Sequence, residues 1–508
     1  MANHYTSQNP APRLPPEVLI QVFKHLQPEW ILYTLPLDLL AVSLVCREWQ
    51  AVTESLFGRM FDNLFARCRY DIHEFEKLLR FFRISRECGL DYCHRITRIT
   101  ICTSQFSKQK KSGGWTHNQK AENLFVHLFS ICPNLQRVEI DAIDVYHKRR
   151  FKDLQRFYTR ILPFCTKVTD FVLENDIDHP EKVYTHLFLA GLANTLHSIR
   201  LYEAKHTTAI LRTLSSCRHI RSFESRYCDD RLATAIPSWP NLRTFRVAQS
   251  PSLSFSSKNL DSVIVQLATS CPRLTNLELS AGAAGCRSRP VVRNHLPSNA
   301  ALCLLAFRCR RLKTVRLHQN PKLTDAFLRV LALTAPRLRV LELEECQALT
   351  GEDVVPAWPC LTSLGLRGCY GVGMAFVEKL IAACPKLREI TAPFEPYSEA
   401  FQAMTERLRK LGFVAVDKRQ LEWRRKIDDD VEEQEEEEMI EVGGDGGEAV
   451  DDGLVLGWLR KIKEEAGTNL NNISEWEEDE DRNGMESEEE EEEEEIDEES
   501  DHPEDFLF

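Results

Sequence analysis

The chain has 508 residues, 43% hydrophobic and 28% charged, with 17 cysteines and a formal net charge of −13. That length leaves room for more than one domain, and the apolar content suits a folded core. No apolar run is long enough to span a bilayer, the opening MANHYTSQNPAPR lacks a signal-peptide core, and no C-x-x-C pair is present. These absences argue against membrane, secreted and zinc-cluster classes, so a cytoplasmic and/or nuclear protein with mostly buried, reduced thiols is expected.

Charge divides the chain. From Asp428 to Phe508 there are 37 acidic and 4 basic residues, about −33, which leaves about +20 on the first 427 residues. A basic body carries an acidic tail, and the two parts suit different partners.

Residues 1–13 are rich in Asn, Ser, Gln and Pro and read as disordered. From Leu14 the sequence runs LPPEVLIQVFKHL, then a connector, then DLLAVSLVCREWQAV. Pro15 and Pro16 suit a first helical turn, where a missing N–H costs nothing, and Glu17 suits its positive end. Val18, Leu19, Val22, Phe23 and Leu26 recur at helical spacing, as do Leu39, Val42, Val45, Cys46 and Trp49 after a cap at Asp38. Two short helices bury little alone, so they either open a larger domain or are completed by another protein.

The order LPxE, apolar-x-x-(Ile/Val)-Phe, Leu, Asp-Leu and Val-Cys-Arg-x-Trp resembles the F-box, which docks onto the Skp-family adaptor of cullin-based ubiquitin ligases. The resemblance covers about one-tenth of the chain and implies adaptor contacts from Leu14, Pro15, Leu19, Phe23, Leu26, Leu39, Val42, Val45, Cys46 and Trp49. The connector from Gln27 to Leu37, with Trp30, Ile31, Leu32 and Tyr33, is longer than usual for that family. The F-box is expected over 14–60. A helical linker over 61–92 follows, marked by Phe75, Leu78, Leu79 and Phe82.

From Cys93 one phrase recurs. Cys132-Pro-Asn-Leu135-Gln-Arg-Val138-Glu-Ile140 sets it, and strong copies start at Cys271, Cys309, Ala335, Trp358 and Cys384. Weaker ones start at Cys93, Cys165, Ala193, Cys217 and Trp239, about eleven irregular units in all. Leu-x-Leu alternation predicts a short strand with one buried face, followed by helical stripes such as Phe327-Leu328-Leu331. Asn320, Cys346 and Cys369 stand three residues after the second Leu, where the leucine-rich repeats that this phrase resembles place a residue that turns the chain and bonds its backbone. One such unit cannot bury its own apolar face, but a stack can.

The phrase resembles the cysteine-containing leucine-rich repeats common in F-box proteins. The resemblance implies an α/β solenoid over 93–415, with parallel strands on a concave face and helices outside. The phrase cysteines are then small apolar fillers. Thr103–Lys120 and Ala281–Asn299 break the rhythm and are expected to leave the stack as loops. Phe401, Met404, Leu408 and Leu411 suggest a closing helix, and 416–508 reads as an acidic, mostly disordered tail.

Between the inward Leu positions of successive strands stand Arg200, Glu224, Arg246, Glu278, Arg316 and Glu342. Alternation of strand side chains puts these six on the open surface, in one row of alternating sign. Paired charges are poor hooks for a ligand, so substrate contacts are assigned to the flanking column, Tyr202, Arg226, His318 and Arg367, and to the loop around Arg289.

No phosphate-binding glycine loop, dinucleotide fingerprint, H-E-x-x-H or G-x-S-x-G elbow is present, so no catalytic residue, metal or cofactor is assigned. The resemblance implies a non-catalytic substrate receptor of an SCF-type ubiquitin ligase. Its partners would be a Skp-family adaptor, through it a cullin and ubiquitin-conjugating machinery, and a protein substrate. A membrane partner is not expected and a nucleic-acid partner is not favoured. Two alternatives stay open: a non-ligase F-box scaffold, and a repeat protein binding nucleic acid or chromatin through its basic body.

Overall fold

Each copy of the phrase delivers one strand, and the strands join a single sheet. The computed structural model describes residues 15–25, 41–43, 45–47, 49–53, 72–102, 106–109, 115–141, 151–174, 183–202, 208–226, 228, 230–248, 260–280, 296–352, 354–355, 358–393, 399–416 and 422–425. β1 (Arg98–Cys102) precedes a hairpin, β2 (Ser107–Gln109) and β3 (Trp115–His117). Then come β4 (Arg137–Asp141), β5 (Asp170–Glu174), β6 (Ser198–Leu201), β7 (Ser222–Ser225), β8 (Thr244–Ala248) and β9 (Asn276–Ser280). β10 (Thr314–His318), β11 (Val340–Glu344), β12 (Ser363–Gly365) and β13 (Glu389–Thr391) complete the series. Outside the hairpin, these strands pair in parallel and in chain order.

Two helices precede the sheet, α1 (Pro16–His25) and α2 (Ile72–Glu87), and others fill its connections: α3 (Gln119–Ile131), α4 (Phe151–Ile161), α5 (Val183–Leu192) and α6 (Thr208–Ser216). They continue with α7 (Asp261–Ser270), α8 (Asn299–Arg308), α9 (Asp325–Thr334), α10 (Met374–Ala383) and α11 (Glu399–Lys410). Strand burial alternates, as in β10, where Val315 and Leu317 are fully inside and Thr314, Arg316 and His318 are half-buried. The inward strand residues and the helix faces form one continuous core, each unit lending its neighbour the apolar surface it lacks.

The phrase cysteines sit in that core. Cys132, Cys165, Cys217, Cys271, Cys309 and Cys384 are buried, and burial pushes the Cys165, Cys217, Cys271 and Cys309 thiols up to about 12. Thiols held neutral in this way are fillers rather than nucleophiles. The turn residues bond as their positions require. Asn320 Nδ2 donates to the Pro297 carbonyl at 3.1 Å, and Cys346 and Cys369 each donate to a carbonyl of the preceding strand region, Leu317 and Leu343.

Three expectations change. The 103–120 segment does not leave the stack wholly as a loop: Lys108 pairs with Thr116 across the β2–β3 hairpin. Phe106 anchors it against Phe125 and Phe157, at ring distances of 5.5 and 4.8 Å. The body also continues beyond 415. β14 (Phe413–Ala415) and β15 (Glu422–Arg425) turn back antiparallel, and β15 pairs with β13. Its Trp423 is buried, the one apolar side chain in an otherwise charged strand. Finally, the stretch before Trp239 has only 3₁₀ turns, Asp230–Thr234 and Ile236–Ser238, where most other units carry an α-helix. The acidic tail and the 281–295 insertion lie outside the described residues.

Candidate protein-binding surfaces

The N-terminal surface begins with α1. The Pro15 carbonyl accepts from Val18 N at 3.0 Å and Leu19 N at 3.1 Å, which starts the helix. Leu19 and Phe23, one turn apart, face inward and are buried. The Phe23 ring meets the half-buried Trp49 edge-on at 5.3 Å. Val18 and Val22, also one turn apart, are 43% and 47% exposed, and Val45 is 61% exposed. Pro15 and Cys46 are exposed and Val42 is half-buried, while Leu14, Leu26 and Leu39 lie outside the described residues. The seven described residues among the ten assigned to adaptor contact therefore do not share one outward face. Leu19 and Phe23 lie inside, Phe23 against Trp49, and Val18, Val22 and Val45 supply accessible apolar surface.

The second surface is the open face of the sheet. Parallel register places Arg200 opposite Glu224, Glu224 opposite Arg246, Arg246 opposite Glu278, Glu278 opposite Arg316 and Arg316 opposite Glu342. All five adjacent pairs form ion pairs. Arg246 Nε and Arg316 Nε each approach a carboxylate at 2.7 Å, and the other three contacts measure 3.5–3.6 Å. The row begins beside Val172 and ends at Gly365, where an added Cβ would lie 3.0 Å from Glu342 Cγ. Burial works against the Arg246 cation, but Glu278 and Glu224 more than reverse this and raise its pKa.

The flanking column is real but interrupted. Tyr202 donates its hydroxyl to Glu224 at 2.8 Å, and the Arg226 guanidinium lies 4.9 Å from the Tyr202 ring centroid. His318 stands opposite Glu344, with Nδ1 3.5 Å from its carboxylate. Ala248 and Ser280, small residues, occupy the row between these two groups. Arg367 is exposed just past β12, and Arg289 lies outside the described residues.

Two further carboxylates are buried in ways no spacing rule signals. Glu139 takes Arg98 at 2.6 Å, Thr100 at 2.8 Å and Arg137 at 2.9 Å. Glu122, at the start of α3, is fully buried against Arg156 at 2.8 Å, Arg160, and His117 Nε2 at 2.7 Å. Burial alone would raise both carboxyls, but these donors outweigh it and hold them low. Both clusters cross element boundaries and are structural. Among the described residues, no group of three or more His, Cys, Asp or Glu is placed to hold a metal, and no helix is long and apolar enough to cross a membrane.

Residues 11–63 match the F-box-like family model. The chain thus carries an N-terminal F-box-like domain, a non-catalytic adaptor module, ahead of a repeated α/β region with mostly parallel strands. No curated protein matches the chain. A solved structure described as "Crystal structure of Rad7 and Elc1 complex in yeast" is similar at 13% identity and a TM-score of 0.36, over 73% of this chain and 83% of that one. A likeness at that level carries no inference about this chain.

Proposed function

We propose that this chain is the substrate-recognition subunit of an SCF-type ubiquitin ligase. Its F-box-like domain binds a Skp-family adaptor, and its stacked units, leucine-rich repeats of the cysteine-containing type, hold a protein substrate. The observation that carries this reading is the F-box-like match over residues 11–63. It is supported by exposed apolar side chains in that stretch, Val18, Val22 and Val45. Through the adaptor the chain joins a cullin and its ubiquitin-loading machinery. The mechanism is proximity: a tethered substrate lysine meets a charged ubiquitin carrier at high effective concentration, with the chemistry on other subunits. On the open face, Tyr202, Arg226, His318 and Arg367 are the proposed substrate contacts, because the row beside them is self-neutralised.

Affinity purification from cells, reading both adaptor and cullin, tests this. Recovery of both supports the ligase role. Adaptor without cullin would instead make the chain a non-ligase scaffold.

A further inference from the structure

The phrase lays down a second charged feature, at the opposite end of the strands from Tyr202 and His318. In every unit, the Leu, Ile or Val that precedes the strand has one residue on either side of it. Neither position holds a carboxylate in any of the eleven units. Backbone bonds align the second position into a row. Arg243 N donates to the Arg221 carbonyl at 2.7 Å, Thr275 N to Arg243 at 2.8 Å, Lys313 N to Thr275 at 2.7 Å and Arg339 N to Lys313 at 2.8 Å. Arg221, Arg243, Lys313 and Arg339 therefore stand along one rim, roughly 19 Å from first to last at the spacing of adjacent strands. Arg311 and Arg337, from the first position, widen it.

All six side chains are exposed, and none forms an ion pair among the described residues. The contrast with the ladder, three residues further along each strand, is direct: there every Arg has two carboxylate neighbours where the row allows. Like charges side by side on neighbouring strands destabilise a sheet. The fold thus holds an uncompensated cationic row that its own packing does not need. No large exposed apolar side chain lies in either position of the rim. Peptide partners draw most of their affinity from anchors in pockets or grooves. A phosphodiester backbone needs only cations and polar groups at a regular spacing.

The geometry points to a phosphate-backbone site: this rim binds nucleic acid through its phosphates, without reading bases. The site is independent of the adaptor reading. Because it lies at the other end of the strands from the proposed substrate contacts, both can be occupied together.

Fluorescence anisotropy of the full chain with a mixed-sequence DNA duplex of about 24 bp, across a salt series, tests this. Two unrelated sequences should bind within about twofold of each other, with log K falling linearly against log salt by about 0.9 per phosphate contacted. Replacing Arg221, Arg243, Lys313 and Arg339 with Gln should weaken binding at least about tenfold at low salt and flatten the slope by about 3.6. Its Tm should be no lower than wild type, since mutual repulsion is removed. Arg80→Gln with Arg212→Gln, exposed elsewhere, should bind like wild type. No binding by the wild type, an equal loss in this control, or a fall in the Tm of the quadruple variant would overturn the site. So would polyglutamate competing as well as unlabelled duplex, which would make the ligand an acidic polypeptide.

Discussion

Arg246 shows how much one strand position can carry. It sits between Glu224 and Glu278, with its Nε 2.7 Å from the latter, and the same parity repeats from Arg200 to Glu342. Each pair is partly exposed, so each contributes on the order of 0.2–1 kcal/mol. A double-mutant cycle of Arg246→Ala and Glu278→Ala should return a coupling in that range, shrinking as salt is added. Zero coupling at low salt would show that the row contributes nothing. This row was legible in the sequence because strand parity alone decides which side chains share a face. Glu122 was not, because its partners Arg156 and Arg160 come from the next helix and His117 from a hairpin that no periodicity announces. Its carboxyl is held low in the folded chain. Such a group contributes fully above the ordinary carboxylate range, and that contribution is lost as pH falls through the folded value. Arg160→Met should therefore lower Tm markedly near neutral pH and less once the pH has fallen below the ordinary carboxylate range. An equal drop at both would assign Arg160 a packing role only.

At the scale of elements, the units differ in what backs each strand. Most have an α-helix and begin the next phrase with Cys or Ala. Before Trp239 the helix is replaced by 3₁₀ turns, and the larger indole occupies the core with its Nε1 donating to the Leu214 carbonyl at 3.0 Å. Trp358 does the same with Leu331 at 3.3 Å. Trp239→Cys should create a cavity, costing about 3–5 kcal/mol by urea unfolding, while the Leu214 carbonyl keeps its bond from Cys217 N. A cost below about 1 kcal/mol would mean the neighbouring units collapse to fill the space. The substitution of Trp for Cys is visible in the sequence, but its meaning emerges only beside the missing helix. The turn after each strand gives a second case. Gln319, Glu345 and Gly368 all adopt positive φ at equivalent positions, and a Cβ on Gly368 would lie 2.9 Å from Glu345 Cγ. Gly368→Ala should cost about 1–2 kcal/mol, read as a lower denaturation midpoint; an unchanged midpoint would show that the turn relaxes freely.

At the scale of the molecule, the sequence phrase located all eleven parallel strands because each repeats the same apolar alternation. It missed the end of the body because β15 reads Glu-Trp-Arg-Arg, a charged run with one buried residue. That strand covers the edge that β13 would otherwise leave open, a position where exposed backbone invites aggregation. Burial also redraws the N-terminal surface. Replacing Leu19 or Phe23 removes core, so loss of adaptor capture in such variants reports unfolding as readily as docking. The informative variant is Val18→Asp, Val22→Asp and Val45→Asp together, since all three side chains are already in solvent. The most direct measurement is calorimetric titration of a purified Skp-family adaptor into the full chain and into this triple variant, with Tm recorded for both. A saturable complex is expected for the wild type, and no detectable complex for the variant at an unchanged Tm. Equal affinity of the two folded proteins for the adaptor would contradict this expectation.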